Sequence, residues 1–172
     1  MASDLTKSTR IRTNKTPKYV GLNFTKVIFP SRGADTLLKG WKIQPTSNPD
    51  SIVTTSENCP WIVIVEGNDA NRAHSSAGML QIAKELNNNG FGILIFDLRG
   101  TGESISDNSS SGYFERLDLD GAVDYLVNNG AERKRIGVLG FSLGGVVALL
   151  SSSNPNNFGA VVADSAFADL TL

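Results

Sequence analysis

Cysteine and histidine are almost absent from this chain of 172 residues, which contains one of each, Cys59 and His74. A single cysteine excludes an intrachain disulfide, and no His/Cys/Asp/Glu set has the spacing of a metal site. The sequence also lacks the Gly-Lys-Ser/Thr pattern of a phosphate-binding loop. We therefore predict neither a metal nor a cofactor.

Long apolar runs and clusters of positive charge are also missing. No run reaches the roughly 18 apolar residues of a membrane span, and the polar N-terminus has no apolar core of signal-peptide length. The net charge is −1, and the basic cluster Arg133–Arg135 is typical of a solvated turn. We expect no nucleic-acid partner, no membrane span and a cytoplasmic location.

The apolar content of 40% is sufficient for one packed domain. We predict a flexible N-terminus over residues 1–18 and one domain over residues 19–172. Two stretches rich in strand-forming residues, Tyr19–Phe29 and Thr36–Ile43, flank the turn-like segment Pro30–Asp35. This arrangement predicts an antiparallel hairpin.

From Trp61 onward, predicted strands and helices alternate. Continuous apolar runs indicate strands that are covered on both faces: Trp61–Val65, Gly92–Phe96, Ile136–Gly140 and Ala160–Ala163. The segments between them carry helically spaced apolar residues, and the first two end at Asn/Gly signals: Ser75–Asn88, Glu115–Asn128, and a third from Ser142 or Leu143 to Ser151. The alternation predicts an α/β fold with a mostly parallel sheet, in which ligands bind at the carboxyl ends of the strands.

One serine lies between two glycines where a strand is predicted to end and a helix to begin, in Gly140-Phe141-Ser142-Leu143-Gly144. Glycines at both positions allow a turn so tight that the serine hydroxyl projects above the sheet. The N–H of Leu143, at the helix N-terminus, would face a developing oxyanion. The competing interpretation is a glycine-rich strand-to-helix turn without chemistry.

The segment IGVLGFSLGG resembles the nucleophile elbow of the α/β-hydrolase family, and other segments agree with that family in order and spacing. The third strand and the oxyanion loop of the family resemble the segment WIVIVEGNDANR. The next strand, with its Asp-x-Arg-Gly-x-Gly-x-Ser turn, resembles the segment NGFGILIFDLRGTGES. GAVVADSAFADL is similar to the strand after the elbow helix, and LLKGWKIQP to an early strand carrying Gly-Trp. The chain is identified as a member of this family, in its serine-peptidase-like or acyl-hydrolase-like branch.

The resemblance implies a nucleophile at Ser142 and an oxyanion hole formed by the N–H groups of Leu143 and Asn68. In the family the sheet continues through two more strands, which carry the usual acid and histidine of the triad. We therefore expect a C-terminally truncated fold that lacks these last strands, and an exposed edge at Ala160–Ala163 that favours self-association. His74 and Asp164 lie at the sheet edge of Ser142; a loop histidine and a turn carboxylate are the competing interpretations.

Glu66 stands where the family usually has a histidine before the glycine of its oxyanion loop. An ionised carboxylate there would oppose an oxyanion. It would instead be harmless if it pointed away or paired with Arg72 or Arg99, and the sequence leaves these alternatives open. We predict a structural role for Asp97, which follows its strand and would accept backbone N–H groups of the adjacent glycine turn.

Two functions follow from these patterns. The first is a serine hydrolase of ester, thioester or peptide-like acyl bonds in a small molecule or peptide, impaired if the acid and the histidine of the triad are missing. The second is a non-catalytic binding or interaction protein built on a decayed hydrolase scaffold.

Overall fold

The computed structural model describes residues 11, 14–46, 59–68, 70–73, 78–105 and 110–168. In these ranges six strands form one sheet, and three α-helices pack against it. The strands are β1 (Thr25–Pro30), β2 (Leu37–Ile43), β3 (Trp61–Val65), β4 (Gly92–Phe96), β5 (Ile136–Phe141) and β6 (Ala160–Asp164). The helices are α1 (Met79–Asn88), α2 (Glu115–Asn128) and α3 (Leu143–Ser151), with short 3-10 helices at Pro17–Val20 and Arg133–Arg135.

The strand order in the sheet is β1-β2-β4-β3-β5-β6. β1 and β2 form the predicted antiparallel hairpin, and β2 pairs antiparallel with β4. The other three pairings are parallel. The predicted architecture, a mostly parallel sheet with an N-terminal antiparallel hairpin, is thereby confirmed. The carboxyl ends of β3, β4 and β5 meet at one edge of the sheet, which positions the loops of the candidate site.

Both faces of the sheet are covered, which explains the continuous apolar runs in the central strands. Every residue of β4 is buried. Leu94 and Phe96 pack in one core with α2 and α3, whereas Ile93 and Ile95 pack in the other with α1. Successive side chains of a strand point to opposite faces, so a strand between two helical layers is apolar at every position.

The first predicted strand was wrong at its start. Tyr19 lies in the 3-10 helix Pro17–Val20, and β1 begins only at Thr25. Pro17 has a fixed φ suited to a helical turn, and Gly21 reverses the chain with a φ of 83°. These two residues override the strand preference of Tyr19 and Val20.

Other boundaries moved by single residues or fall outside the described part of the chain. Pro30 was placed in the turn but ends β1, opposite Leu37. Phe141 and Asp164 extend β5 and β6 by one residue each because they pair with one another. The predicted start of the first helix at Ser75 lies outside the described residues, which show α1 from Met79.

β6 forms one edge of the sheet and is the most exposed of its strands. None of its five residues is buried, and the Val162 side chain is 60% exposed. An apolar edge strand presents unpaired backbone groups to any other strand. In the described ranges no helix combines the length and the apolar character that a membrane crossing requires.

Candidate active site

Ser142 occupies the turn between β5 and α3 with φ 51° and ψ −114°. A positive φ is unusual for a residue with a side chain and is found where the surrounding structure enforces it. The residue is half-buried. The geometry therefore matches the tight turn that the sequence predicted.

The glycines on either side of Ser142 are required by backbone packing. A Cβ added to Gly140 would overlap the Gly144 carbonyl and lie 2.7 Å from the Gly145 nitrogen. A Cβ added to Gly144 would overlap the carbonyl oxygens of Val65 and Glu66 and lie 2.8 Å from the Val65 carbonyl carbon. The first turn of α3 thus rests directly on the end of β3, with no room for a side chain.

Backbone hydrogen bonds fix Ser142 from both neighbouring elements. Its N–H donates to the Asp164 carbonyl at the end of β6, at 2.8 Å, and its own carbonyl accepts the N–H groups of Gly145 and Val146. Leu143 is the first residue of α3, where N–H groups have no acceptor within the helix. The helix dipole adds positive potential at this end, which favours an anion.

The loop after β3 lies beside Ser142. A Cβ added to Gly67 would be 3.2 Å from the Ser142 Cβ and 3.3 Å from the Phe141 carbonyl oxygen. Asn68 follows directly and is exposed. Gly67 and Ser142 thus pack against each other. Asn68 and Leu143, which are predicted to supply the oxyanion N–H groups, directly follow them in the sequence.

The structure describes one of the two candidates for a triad base and acid, Asp164. His74 lies outside the described residues. Asp164 is exposed, and its carboxylate accepts the Ser165 hydroxyl at 2.8 Å. Ser165 has a φ of 54°, so the chain turns sharply after β6. Asp164 contributes to the site through its backbone carbonyl, a contact that sequence reasoning missed.

Glu66 is fully buried, and its carboxyl turns toward the loop after β4. Its Oε1 accepts the Leu98 N–H at 3.0 Å and the Thr101 hydroxyl. Of the alternatives that the sequence left open for Glu66, pairing with Arg72 or Arg99 is not the one found. Asp97 and Glu103 hold the Arg72 guanidinium, and Asp118 holds that of Arg99. Burial, with the Asp97 charge adding to it, raises the pKa of Glu66 well above its ordinary value.

Asp97 organises the loop after β4, as the sequence predicted. Its Oδ1 accepts the Arg72 N–H at 2.8 Å, and its Oδ2 accepts the Glu103 N–H at 2.8 Å. The Arg72 guanidinium also pairs with Asp97 and Glu103, and it lies 4.4 Å above the Trp41 ring. Arg72 holds the pKa of the Glu103 carboxyl below its ordinary value. No sequence pattern indicated that Arg72 would complete this cluster.

The residues described contain no group of His, Cys, Asp and Glu side chains that would hold a metal ion. The chemistry open to this edge of the sheet is that of a serine hydroxyl beside backbone donors, which suits attack on a carbonyl carbon.

Comparison with known proteins places this chain in a family. Residues 60–171 match the model of the serine aminopeptidase S33 family. An uncharacterized protein of Bacillus subtilis, YqkD, is 30% identical over 147 residues, which are 84% of this chain and 43% of that protein. The chain thus spans less than half of this curated relative.

Solved structures show the same fold. An esterase of Pyrococcus furiosus superposes with a TM-score of 0.78 at 28% identity, over 93% of this chain and 58% of that one. A hypothetical protein of Pseudomonas aeruginosa gives 0.73 at 26% identity, over 92% and 49%. An acylaminoacyl peptidase of Pyrococcus horikoshii gives 0.61 at 19% identity, over 87% and 24%, and shows the fold alone. The chain belongs to the serine aminopeptidase S33 family of α/β-hydrolases.

Proposed function

We propose that this chain supplies the nucleophile and the oxyanion hole of a serine hydrolase that acts on ester, thioester or peptide-like acyl bonds. The observation that carries the proposal is the strained φ of Ser142 at the β5–α3 turn, with glycines enforced on both sides. The similarity to an esterase at 28% identity favours esters among the acyl substrates.

In the proposed reaction the Ser142 Oγ forms a bond to the substrate carbonyl carbon and gives its proton to a base. The bond from that carbon to the leaving alcohol then breaks, and the alcohol takes up a proton. Water releases the acid from Ser142 by the same steps. The carbonyl oxygen becomes negative in the tetrahedral intermediate of each of the two steps, and the N–H groups of Leu143 and Asn68 would stabilise it there. One such donor contributes about 10²–10³-fold to turnover.

The base is the part of the site that decides turnover. The sequence contains one histidine, His74, and losing the histidine of a serine hydrolase costs about 10⁶-fold in turnover. We propose that the chain turns over esters slowly unless His74, or a histidine of another segment or chain, reaches Ser142. Asp164 would serve as the acid only together with such a histidine.

We predict that a fluorophosphonate probe labels Ser142 and that Ser142→Ala abolishes the labelling. The Oγ forms a bond to phosphorus, fluoride leaves, and the hydroxyl proton passes to the base or to solvent. Labelled protein is quantified by intact mass, and the modified residue is located by peptide mass mapping. Turnover of short p-nitrophenyl esters, measured in parallel, tells whether the base is also present.

Ser153→Ala is the matched control, since this exposed serine follows α3 and lies away from the turn. It is expected to label at the wild-type rate. No labelling of the wild-type protein at any pH, or equal labelling in Ser142→Ala, contradicts the proposed nucleophile.

The alternative function, a non-catalytic interaction protein, is favoured by one observation, the exposed edge strand β6. We propose that two copies associate through this edge, which is compatible with a twofold axis.

A cytoplasmic location remains part of either proposal, since one cysteine calls for no oxidising compartment.

We predict that Val162→Lys shifts the protein toward the monomer in sedimentation equilibrium, because the charge would be placed in the association surface. Ile28→Lys is the control: Ile28 is also 60% exposed, but it lies in β1 at the opposite edge of the sheet. A wild-type protein that is monomeric at every concentration, or an equal shift in both variants, contradicts association through β6.

A further inference from the structure

Glu66 is a buried titratable residue beside Ser142, and the proposed reaction does not use its chemistry. It is 0% exposed and directly precedes Gly67, which packs against Ser142. The backbone carbonyl oxygen of Glu66 also packs against Gly144, where it and the Val65 carbonyl oxygen leave no room for a side chain. A shift of Glu66 would therefore disturb both sides of the oxyanion hole.

The carboxyl group links two loops. Its Oε1 accepts hydrogen bonds from the Leu98 N–H and the Thr101 hydroxyl, both in the loop after β4. The Thr101 hydroxyl lies 2.8 Å from the Leu98 carbonyl as well, so it is fixed within its own loop. Glu66 thus fastens the end of β3 to the loop after β4.

The two carboxyl oxygens are treated differently by their surroundings. Oε1 has two donors, whereas the buried Oε2 has no hydrogen-bond partner among the residues described. A carboxylate spreads its charge over both oxygens and requires donors at each when buried. A neutral acid accepts at its carbonyl oxygen and has no net charge, so leaving the buried Oε2 without a donor costs less free energy when Glu66 is protonated.

Among the described residues, the cation that acts on Glu66 already has other carboxylate partners. Asp97 raises the pKa of Glu66 and Arg72 lowers it, after the larger effect of burial. The Arg72 guanidinium is already paired with Asp97 and Glu103. Protonation of Glu66 removes one negative charge from the cluster of Glu66, Asp97 and Glu103. The Arg72 guanidinium then neutralises only Asp97 and Glu103.

We propose that Glu66 is a positioning residue that works as a neutral acid: it holds the Gly67–Asn68 loop beside Ser142 without placing a negative charge next to the oxyanion. This inference rests on the proposed function for its oxyanion, but the state and the structural task of Glu66 are testable apart from it. The glutamine side chain has the same shape and stays neutral at every pH. Glu66→Gln therefore separates the protonation state of Glu66 from its structural task.

The test compares wild type, Glu66→Gln and Glu66→Ala. Because the folded-state pKa of Glu66 is raised, the folded state retains a proton that the unfolded state loses. The stability of the wild type is therefore highest below the pKa that Glu66 has in the unfolded state, and it falls as the pH rises through the pKa of Glu66 in the folded state. In urea unfolding the unfolding constant of the wild type is expected to change relative to Glu66→Gln by up to about tenfold per pH unit, the effect of one proton. Glu85→Gln, at an exposed position on α1, should keep the wild-type pH slope.

Hydrogen exchange and labelling report on positioning. Peptides containing Gly67–Asn68 and Leu98–Thr101 should exchange faster in Glu66→Ala and at the wild-type rate in Glu66→Gln. Fluorophosphonate labelling of Ser142 should be slower in Glu66→Ala. In the wild type we expect labelling to decline at alkaline pH as Glu66 loses its proton, and Glu66→Gln should remove that decline.

Identical pH slopes for wild type and Glu66→Gln overturn the neutral state, and unchanged exchange in Glu66→Ala overturns the positioning task. If Ser142 fails to label in every variant, the proposed function fails, while the unfolding and exchange measurements still decide the role of Glu66.

Discussion

Arg72→Met is expected to lower the free energy of unfolding by about 3–5 kcal/mol at neutral pH, the cost of leaving one charge of a buried pair without its partner. The side chains of Arg72 and Asp97 are 3% and 0% exposed. Methionine retains an apolar side chain over the Trp41 ring, so the loss of charge dominates. The measurement is urea unfolding followed by tryptophan fluorescence and circular dichroism.

The pH dependence of this loss identifies its cause. Burial already raises the pKa of Asp97, and Arg72 opposes that rise. Without Arg72 the folded-state pKa of Asp97 rises further. The free energy of unfolding of Arg72→Met therefore falls as the pH increases and the Asp97 carboxyl ionises. The deficit of Arg72→Met should therefore shrink as the pH is lowered and Asp97 becomes protonated.

Arg116→Met is the matched control, since its guanidinium donates to the Tyr113 carbonyl on the exposed surface. Its free energy of unfolding is expected to stay within about 0.5 kcal/mol of wild type. A loss below about 1 kcal/mol in Arg72→Met, or one that does not vary with pH, would show that the Arg72–Asp97 pair does not support the fold as described.

Gly144→Ala is expected to destabilise the protein by about 3 kcal/mol or to displace α3 from β3. The added methyl group would overlap backbone atoms of Val65 and Glu66, which have no rotamer to change. Since the same displacement would move Ser142 away from Gly67, fluorophosphonate labelling should fall together with stability.

Gly145→Ala is the control within the same helix. Its added Cβ would lie 3.0 Å from the Ala166 Cβ and 3.3 Å from the Gly140 carbonyl oxygen. The gain of about 1 kcal/mol that alanine gives over glycine in a helix should offset much of this contact. Equal stability losses in the two variants would contradict the close approach of α3 to β3 at Gly144 as the special feature of this turn.

The sequence was sufficient for the central strands because each is a continuous apolar run, which is a local signal. β3 and β4 fell at the predicted residues, and α2 did as well. The Ser142 turn was predictable for a related reason, since glycines on both sides of a serine between a strand and a helix leave few conformations. The start of β1 was missed because the turn at Pro17–Gly21 overrides the strand preference of Tyr19.

The sequence by itself determined the family, the α/β order of elements and the position of Ser142. Only the tertiary structure decided what Glu66 contacts, which carboxylates hold Arg72, and that the Asp164 carbonyl accepts the Ser142 N–H. These contacts join residues that are distant along the chain, and their chemistry depends on burial and on competing charges. Local pattern specifies where a turn must form, whereas the partners of a buried charge are fixed only when the loops have packed.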